Sequence, residues 1–321
     1  DRHWSLSMIR YVLRRLLFVI PLLWALTLLL FLYVHAVPGD PIAGMLGPNG
    51  TPELIAQLRR ERGLDRPLAE QYFTWFLGLF RGDLGVSLIT GAPLTPLVVN
   101  RIPATLQLTA AGLVFTVLIG FPLGYYAGRH KGGWLDRILS PAALIGLSLP
   151  VFWIGTLLIL LLGVQLRWLP TAGYVPLAAD PWQSLRLTLM PALVLGLHLS
   201  PFLARMVRVS TSELMREPFV IQARIRGLLP STVNRRFVLR NAVLPVLVVI
   251  GMNLGALLGG QVIVEQLFNW PGIGRLLVEG AVQRDYLVVQ SLILVVATIY
   301  ILVNLFVEVL QAWLDPRVRL T

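Results

Sequence analysis

The sequence predicts an all-α polytopic membrane protein with six transmembrane helices, and three observations predict it. The 321 residues are 56% hydrophobic with a mean hydropathy of +0.74, more apolar surface than a soluble fold of this size buries. The apolar residues gather into runs long enough to cross a bilayer, which takes about 20 residues of helix. Lys and Arg concentrate in alternate connections, the bias that sets orientation across a membrane. The net charge of +11 is therefore a topology signal, and no nucleic-acid partner is expected. Cysteine is absent, which excludes disulfides, thiolate metal sites and cysteine nucleophiles.

Taken in order, Asp1–Ser7 precede Met8, which reads as a natural start, so residues 1–7 are set aside as an extension. Residues 8–37 carry Arg10, Arg14 and Arg15 ahead of a long apolar run, the first span, leaving the cytoplasm. Six arginines balance six carboxylates in 38–103, so this stretch belongs outside as a loop subdomain. Within it, Thr51-Pro52-Glu53 reads as cap, first helical position and acidic first turn, with Gly63 as the stop. A second helix starts near Pro67. Its Tyr72, Trp75, Phe76, Leu79 and Phe80 fall on one face, suited equally to the outer membrane interface and to packing on other spans.

The second span runs from Thr105 to Ala127 and is ended by Pro122, Gly124 and Gly128. The basic loop Arg129 to Arg137 is then cytoplasmic. Ile138 to Leu166 is too long for one span and holds Pro141 and Pro150, so it divides into an interfacial helix and a third span from about Gly146. The fourth span, about Leu185 to Ala204, returns inward. The polar run from Ser210 to Pro245 follows, then a fifth span, about Val243 to Val264. There Gly251, Gly255 and Gly259 repeat every fourth residue, a smooth stripe for helix packing. Glu265 to Asp285 reads as a short outer loop, with too many turn formers at Trp270–Arg275 for a helix. The sixth span runs from about Tyr286 to Leu310. Both termini are predicted to be cytoplasmic, with 312–321 as a tail.

The chain holds one lysine, Lys131, and no Ser or Thr follows it. A Walker A loop needs G-x-x-x-x-G-K-[ST], so ATP used here must be bound by another subunit. No G-x-S-x-G occurs, and no catalytic residue or metal site is predicted. Candidate pathway-lining residues are Gln107, His198, Asn253, Gln261, Gln290 and Asn304, polar groups within spans; bonding between helices is the competing role for each. In the polar run, the small Ala223 would let a partner backbone approach, and Gly227 sits where a helix end needs a left-handed residue. Ser210 or Thr211 would cap that helix, and Pro218 interrupts or restarts it.

The chain resembles the permease subunits of ATP-binding-cassette (ABC) importers, in the branch that takes up dipeptides, oligopeptides, nickel and glutathione. The resemblance rests on Pro38-Gly39-Asp40-Pro41, Gly63-Leu64-Asp65-Arg66-Pro67, Gly82-Asp83-Leu84-Gly85-Val86-Ser87 and Pro103-Ala104-Thr105-Leu106-Gln107-Leu108. Later in the chain it rests on Ala223-Arg224-Ile225-Arg226-Gly227-Leu228, Phe268-Asn269-Trp270-Pro271-Gly272-Ile273-Gly274-Arg275, Arg284-Asp285-Tyr286 and Asp315-Pro316-Arg317. It implies the type I ABC importer permease fold, with a five-helix core over 104–311 and a coupling loop over 210–242. Glu213, Glu217, Gln222, Ala223, Arg224, Arg226 and Gly227 are the implied ATPase-coupling residues, although Ile221 and Gln222 replace the Glu and first Ala of the general E-A-A-x-x-x-G pattern.

Implied partners are a second homologous permease, two ABC ATPase subunits that hold ATP and Mg, an external substrate-binding protein, and membrane lipid. The chain itself would carry no cofactor. Implied location is a bacterial or archaeal inner membrane. The alternative reading is a secondary transporter driven by an ion gradient, which would need intramembrane ionisable sites or inverted repeats.

Overall fold

A computed structural model describes residues 2–36, 42, 46, 50–243, 246 and 261–314. Among these the regular structure is helical, apart from one isolated bridge between Val86 and Pro93. In order come α1 (Arg2–Ala36), α2 (Pro52–Glu61), α3 (Leu68–Phe80), α4 (Leu94–Val99), α5 (Ile102–Arg129), α6 (Trp134–Ser148) and α7 (Val151–Leu158). Then follow α8 (Pro181–Leu214), α9 (Pro218–Ile225), a helical stretch over 230–242, a helix over 261–267, α10 (Ile273–Val282) and α11 (Tyr286–Leu314). Among the described residues four helices are long and apolar enough to cross a membrane, or five if α6 with α7 and its π-helical continuation Ile159–Gln165, bent by 101°, is counted as one span. The predicted fifth span lies largely outside the described residues, as do Gly251, Gly255, Gly259 and Asn253.

The chain divides into two compact units, Asp1–Pro103 with Pro271–Leu302, and Ala104–Trp270 with Val303–Thr321. In the first unit, α1 begins at Arg2, so the residues before Met8 continue the helix. The signals read for α2 hold: Thr51 Oγ1 accepts from the Leu54 N–H at 3.3 Å, Pro52 opens the helix, and Gly63 adopts φ +67°. The aromatic face of α3 divides. Tyr72 is buried, its hydroxyl 3.0 Å from Thr27 Oγ1 and its ring edge-on to Phe31 at 5.4 Å, while Phe80 is 77% exposed.

The Glu265–Asp285 stretch is not a short loop, because α10 occupies half of it. Turn formers stop at Gly272, the N-cap, and Ile273 and Leu276 then bury an apolar face with Leu94, Val98, Val288 and Leu292. Asp285 ends the next turn, caps α11 through the Val288 N–H at 3.4 Å, and accepts from Ser87 Oγ and from the Leu88 N–H at 3.3 Å.

In the second unit α5 runs unbroken through Pro122, Gly124 and Gly128 to Arg129, so these residues do not end the span. Inside a membrane, neighbouring helices tolerate a proline by satisfying the freed backbone groups. The glycines serve packing. Gly112, Thr116, Gly120, Gly124 and Gly128 recur every fourth residue and all are buried. A Cβ on Gly120 would lie 2.8 Å from the Ser200 carbonyl, and one on Gly128 2.5 Å from the Arg208 carbonyl. This stripe lets α8 approach backbone to backbone.

The helix α8 has 34 residues, about 51 Å at the usual rise per residue. It therefore outruns the predicted fourth span by 10 residues, past Arg205 and Arg208 to Leu214. The break between α6 and α7 falls at Leu149-Pro150 rather than near Gly146, since the residue before a proline is pushed out of the helical region; Leu149 has φ −77° and ψ 126°. Trp270 is fully buried, donates from Nε1 to the Ala104 carbonyl at 2.9 Å, and meets Tyr174 edge-on at 4.8 Å. Burial pushes the Tyr174 phenol up.

Candidate coupling surface

The polar run between spans folds as the end of α8, a tight turn at 215–217, α9, a second turn, and the helical stretch 230–242. No single helix spans Thr211 to Ile225. Thr211 is buried within the last turn of α8 rather than capping a helix. Pro218 restarts the helix after the break at 215–217, at the first helical position of α9 where its missing N–H costs nothing.

The exit of α9 is a Schellman motif. The Leu228 N–H bonds the Ala223 carbonyl at 3.3 Å and the Gly227 N–H bonds the Arg224 carbonyl at 2.9 Å. Gly227 has φ +77°, and a Cβ there would meet nothing within 4 Å. Its requirement is therefore conformational, not steric.

Ala223 does not face outward for a partner backbone to approach. It is 5% exposed and, with Val220, packs into a cluster containing Leu203, Val207, Val233 and Val238. The small side chain serves close approach within the chain itself. Tyr125 joins the same cluster and its hydroxyl donates to the Asn234 carbonyl at 3.4 Å, which ties α5 to the 230–242 stretch. What α9 turns outward is Phe219, Ile221, Gln222, Arg224 and Ile225, followed by Arg226, Leu228 and Leu229. Ile225 is 80% exposed and Leu229 69%. Glu213 and Glu217 are also exposed, at the turn leading into α9.

Sequence reasoning missed one connection at this surface. Arg208 on α8 forms an ion pair with Asp136 in the first turn of α6: its Nε donates to Oδ1 and its Nη2 to Oδ2 at 3.1 Å, while the Gly132 N–H donates to Oδ2 at 2.8 Å. Asp136 is 5% exposed. It is the only carboxylate in the basic loop 129–137, a signal that could have singled it out. Beside it, Lys131, Arg208, Ser212, Glu213 and Arg216 line a cleft of about 160 Å³.

The candidate pathway residues fare unequally. Gln107 donates to Ser184 Oγ at 2.8 Å and Thr188 Oγ1 at 2.7 Å. Gln261 is 2% exposed, donates to the Thr105 carbonyl at 2.8 Å and to Glu265 Oε1 at 3.2 Å, and accepts from Thr109 at 2.7 Å. Both amides are committed to bonds between segments of their own unit. His198 is half-buried, and its Nδ1 has no hydrogen-bond partner among the described residues. Asn304 is half-buried on α11 and Gln290 is fully buried.

The family described as "Binding-protein-dependent transport system inner membrane component" matches residues 120–320, and its N-terminal companion matches residues 8–109. The chain belongs to this family. This binding-protein-dependent permease is 39% identical over 312 residues, 97% of its length, to the glutathione transport system permease protein GsiC of Escherichia coli O6:H1, covering 99% of that protein. The GsiC proteins of E. coli K12 and Salmonella choleraesuis are 38% identical over the same span.

Among solved structures, an inward-facing form of the MetNI methionine ABC transporter matches 68% of the chain and 96% of its own, with a TM-score of 0.57 at 18% identity. That likeness speaks to fold alone. The permease is thus an inner-membrane component of a binding-protein-dependent transport system, with the all-helical fold its sequence predicts. The ion-gradient alternative finds no support among these relatives.

Proposed function

We propose that this permease pairs with a second, unlike permease to form the pathway of an ATP-driven peptide importer, with α9 as the element through which two ATPase subunits drive it. One observation carries the reading: α9 is bonded and packed on its inner face to α8 and the 230–242 stretch, yet presents Phe219, Ile221, Ile225 and Leu229 outward among Arg224 and Arg226. A surface apolar at its centre and rimmed by arginine suits a protein partner better than water. Glu213, Glu217 and Gln222 lie at its edge.

Displacement of α9 by a partner is resisted locally by the packing of Val220 and Ala223. It therefore passes into the inner end of α8, and through Arg208 and Asp136 into α6. This chain contributes no nucleotide site; ATP and Mg belong to the ATPase subunits. Both termini face the cytoplasm, and an external binding protein delivers substrate.

A peptide substrate of two to several residues is favoured because the relatives named above transport glutathione, itself a tripeptide. Replacing Ile225 and Leu229 with Glu should remove the ATPase subunits from the purified complex while the permease stays in the membrane. Undiminished co-purification would overturn the proposed role of α9.

A further inference from the structure

In the first unit a cleft of about 440 Å³ opens beside the end of α1, the turn after α2, the length of α3 and the start of α11. Its size falls within the range of small-molecule sites, about 300–1,000 Å³. Two polar groups in its wall lack a hydrogen-bond partner among the described residues: the carboxamide of Gln290, both nitrogen and oxygen, and the indole Nε1 of Trp75. Gln290 is 1% exposed. A buried amide with neither donor nor acceptor satisfied is costly, and such groups are retained where something completes them.

The surrounding wall is firmly built. Gln71 Nε2 donates to the Arg66 carbonyl at 2.8 Å and to the Leu64 carbonyl at 3.2 Å, and its Oε1 lies 3.3 Å from His35 Nε2. Arg62 donates to the Ser87 carbonyl at 3.0 Å. The charged groups on the lining balance, Arg62 and Arg66 against Glu61 and Asp83, so the cleft favours neither a net anion nor a net cation. Phe31, Leu88 and Leu287 supply its apolar walls.

We propose that this cleft binds a short peptide. A carboxamide presents one donor and one acceptor side by side, the complement of the N–H and C=O of one residue of an extended peptide, which point to the same side. Gln290 closes a pair of hydrogen bonds with the N–H and C=O of one extended residue. The Trp75 indole, a donor only, takes the carbonyl of a second. Opposite charges at the rim receive the two ends of a zwitterion. The inference rests on the importer reading only in taking the peptide as free solute, and the cleft lies in a different unit from the coupling surface.

The test uses the full chain in lipid nanodiscs without ATPase subunits, so that failed coupling and a failed cleft are separate results. The probe is trialanine bearing a diazirine on its C-terminal side chain, with crosslinks mapped by mass spectrometry. Labelling is expected around Trp75 and Leu287, displaced by plain trialanine but not by its N-methylated form or by glycerophosphocholine. Gln290→Leu should cut labelling by about tenfold, the loss expected when a hydrogen-bond partner of the ligand is removed.

Thr74→Trp, an exposed substitution at the cleft lining, should do the same and serves if Gln290→Leu does not fold. Labelling elsewhere, labelling indifferent to both variants, or no saturable labelling would overturn the proposal. Equal displacement by glycerophosphocholine would assign the cleft to a lipid headgroup and overturn it too.

Discussion

Arg208, near the inner end of α8, pairs with Asp136 at the start of α6, and the Gly132 N–H completes the shell of the same carboxylate. Asp136 is buried while a quarter of the Arg208 side chain is exposed. Removing one partner of a fully buried pair costs about 3–5 kcal/mol; partial exposure of the arginine should reduce this to about 2 kcal/mol. Asp136→Ala is therefore expected to lower the thermal unfolding temperature and to weaken transport without altering membrane insertion. Asp136→Asn, which keeps the hydrogen-bond acceptor for Gly132, should fall between it and the wild type. Fluorescence-detected thermal unfolding and uptake assays on the same preparations measure both effects.

Gly227 offers a cleaner separation of conformation from contact. Its φ of +77° costs an L-residue roughly 1–2 kcal/mol, whereas the space beside it is open. Gly227→Asn should be tolerated, since Asn visits the left-handed region readily, while Gly227→Val should abolish substrate-stimulated ATP hydrolysis. If both variants behave alike, the glycine is needed for something other than its backbone. Ala223→Leu should be at least as severe as the valine, for a different reason: it overfills the cluster of Val220, Leu203 and Val233.

Element type was largely legible in the sequence because apolar runs and caps are local signals. The Thr51 cap, the Gly63 stop and the Gly227 turn all act within a few residues of themselves. Pro122 and the α5 glycines misled because their meaning depends on what lies opposite. The four-residue recurrence from Gly112 to Gly128 was present in the sequence, but only α8 on the facing side makes it a packing stripe rather than a series of stops. Ala223 misled similarly, since a small residue says that something approaches closely and not whether that something is a partner. The α10 helix was hidden behind Pro271 and Gly272, which end one turn and cap the next element within three residues. At the coupling surface, α9 was legible, whereas the Asp136–Arg208 pair joins positions 72 residues apart and has no local pattern.

The α5 stripe predicts a graded series. At Gly112 a Cβ would lie 3.0 Å from Leu195 Cβ, a tight contact, whereas at Gly124 it would lie 2.3 Å from the Ala204 backbone carbonyl. Gly112→Ala should cost less than Gly124→Ala, which should destabilise by about 1–3 kcal/mol through forced separation of α5 and α8. Comparing protease resistance of the two variants in detergent checks the order.

Trp270 supplies a test of the second unit away from the coupling surface. Trp270→Phe keeps most of the buried ring but leaves the Ala104 carbonyl without the indole donor at 2.9 Å. An unsatisfied buried acceptor costs about 1–3 kcal/mol. A lower unfolding temperature is expected, with no change in ATPase co-purification, because nothing at α9 is altered.

Asp285 joins two tasks in one carboxylate. It caps α11 through the Val288 N–H and also gathers Ser87 Oγ, the Leu88 N–H and the Ile89 N–H from a segment 196 to 198 residues away. Capping alone is worth about 1 kcal/mol, so a residue serving only as a cap would lose about that much on conversion to Ala. Asp285→Ala should cost roughly twice that or more, because three donors in the 87–89 segment lose their acceptor as well. Asp285→Asn separates the two tasks. Its one carbonyl oxygen, at the Oδ1 position, can still take the Val288 and Leu88 N–H groups, but its amide nitrogen must face the Ile89 N–H where Oδ2 stood, so the Ile89 contact fails first. Hydrogen exchange should therefore show Ile89 losing protection in the Asn variant while Leu88 and the first turn of α11 keep it, and all of them losing it in the Ala variant. Equal protection of the two segments in every variant would mean that Asp285 does not hold the loop.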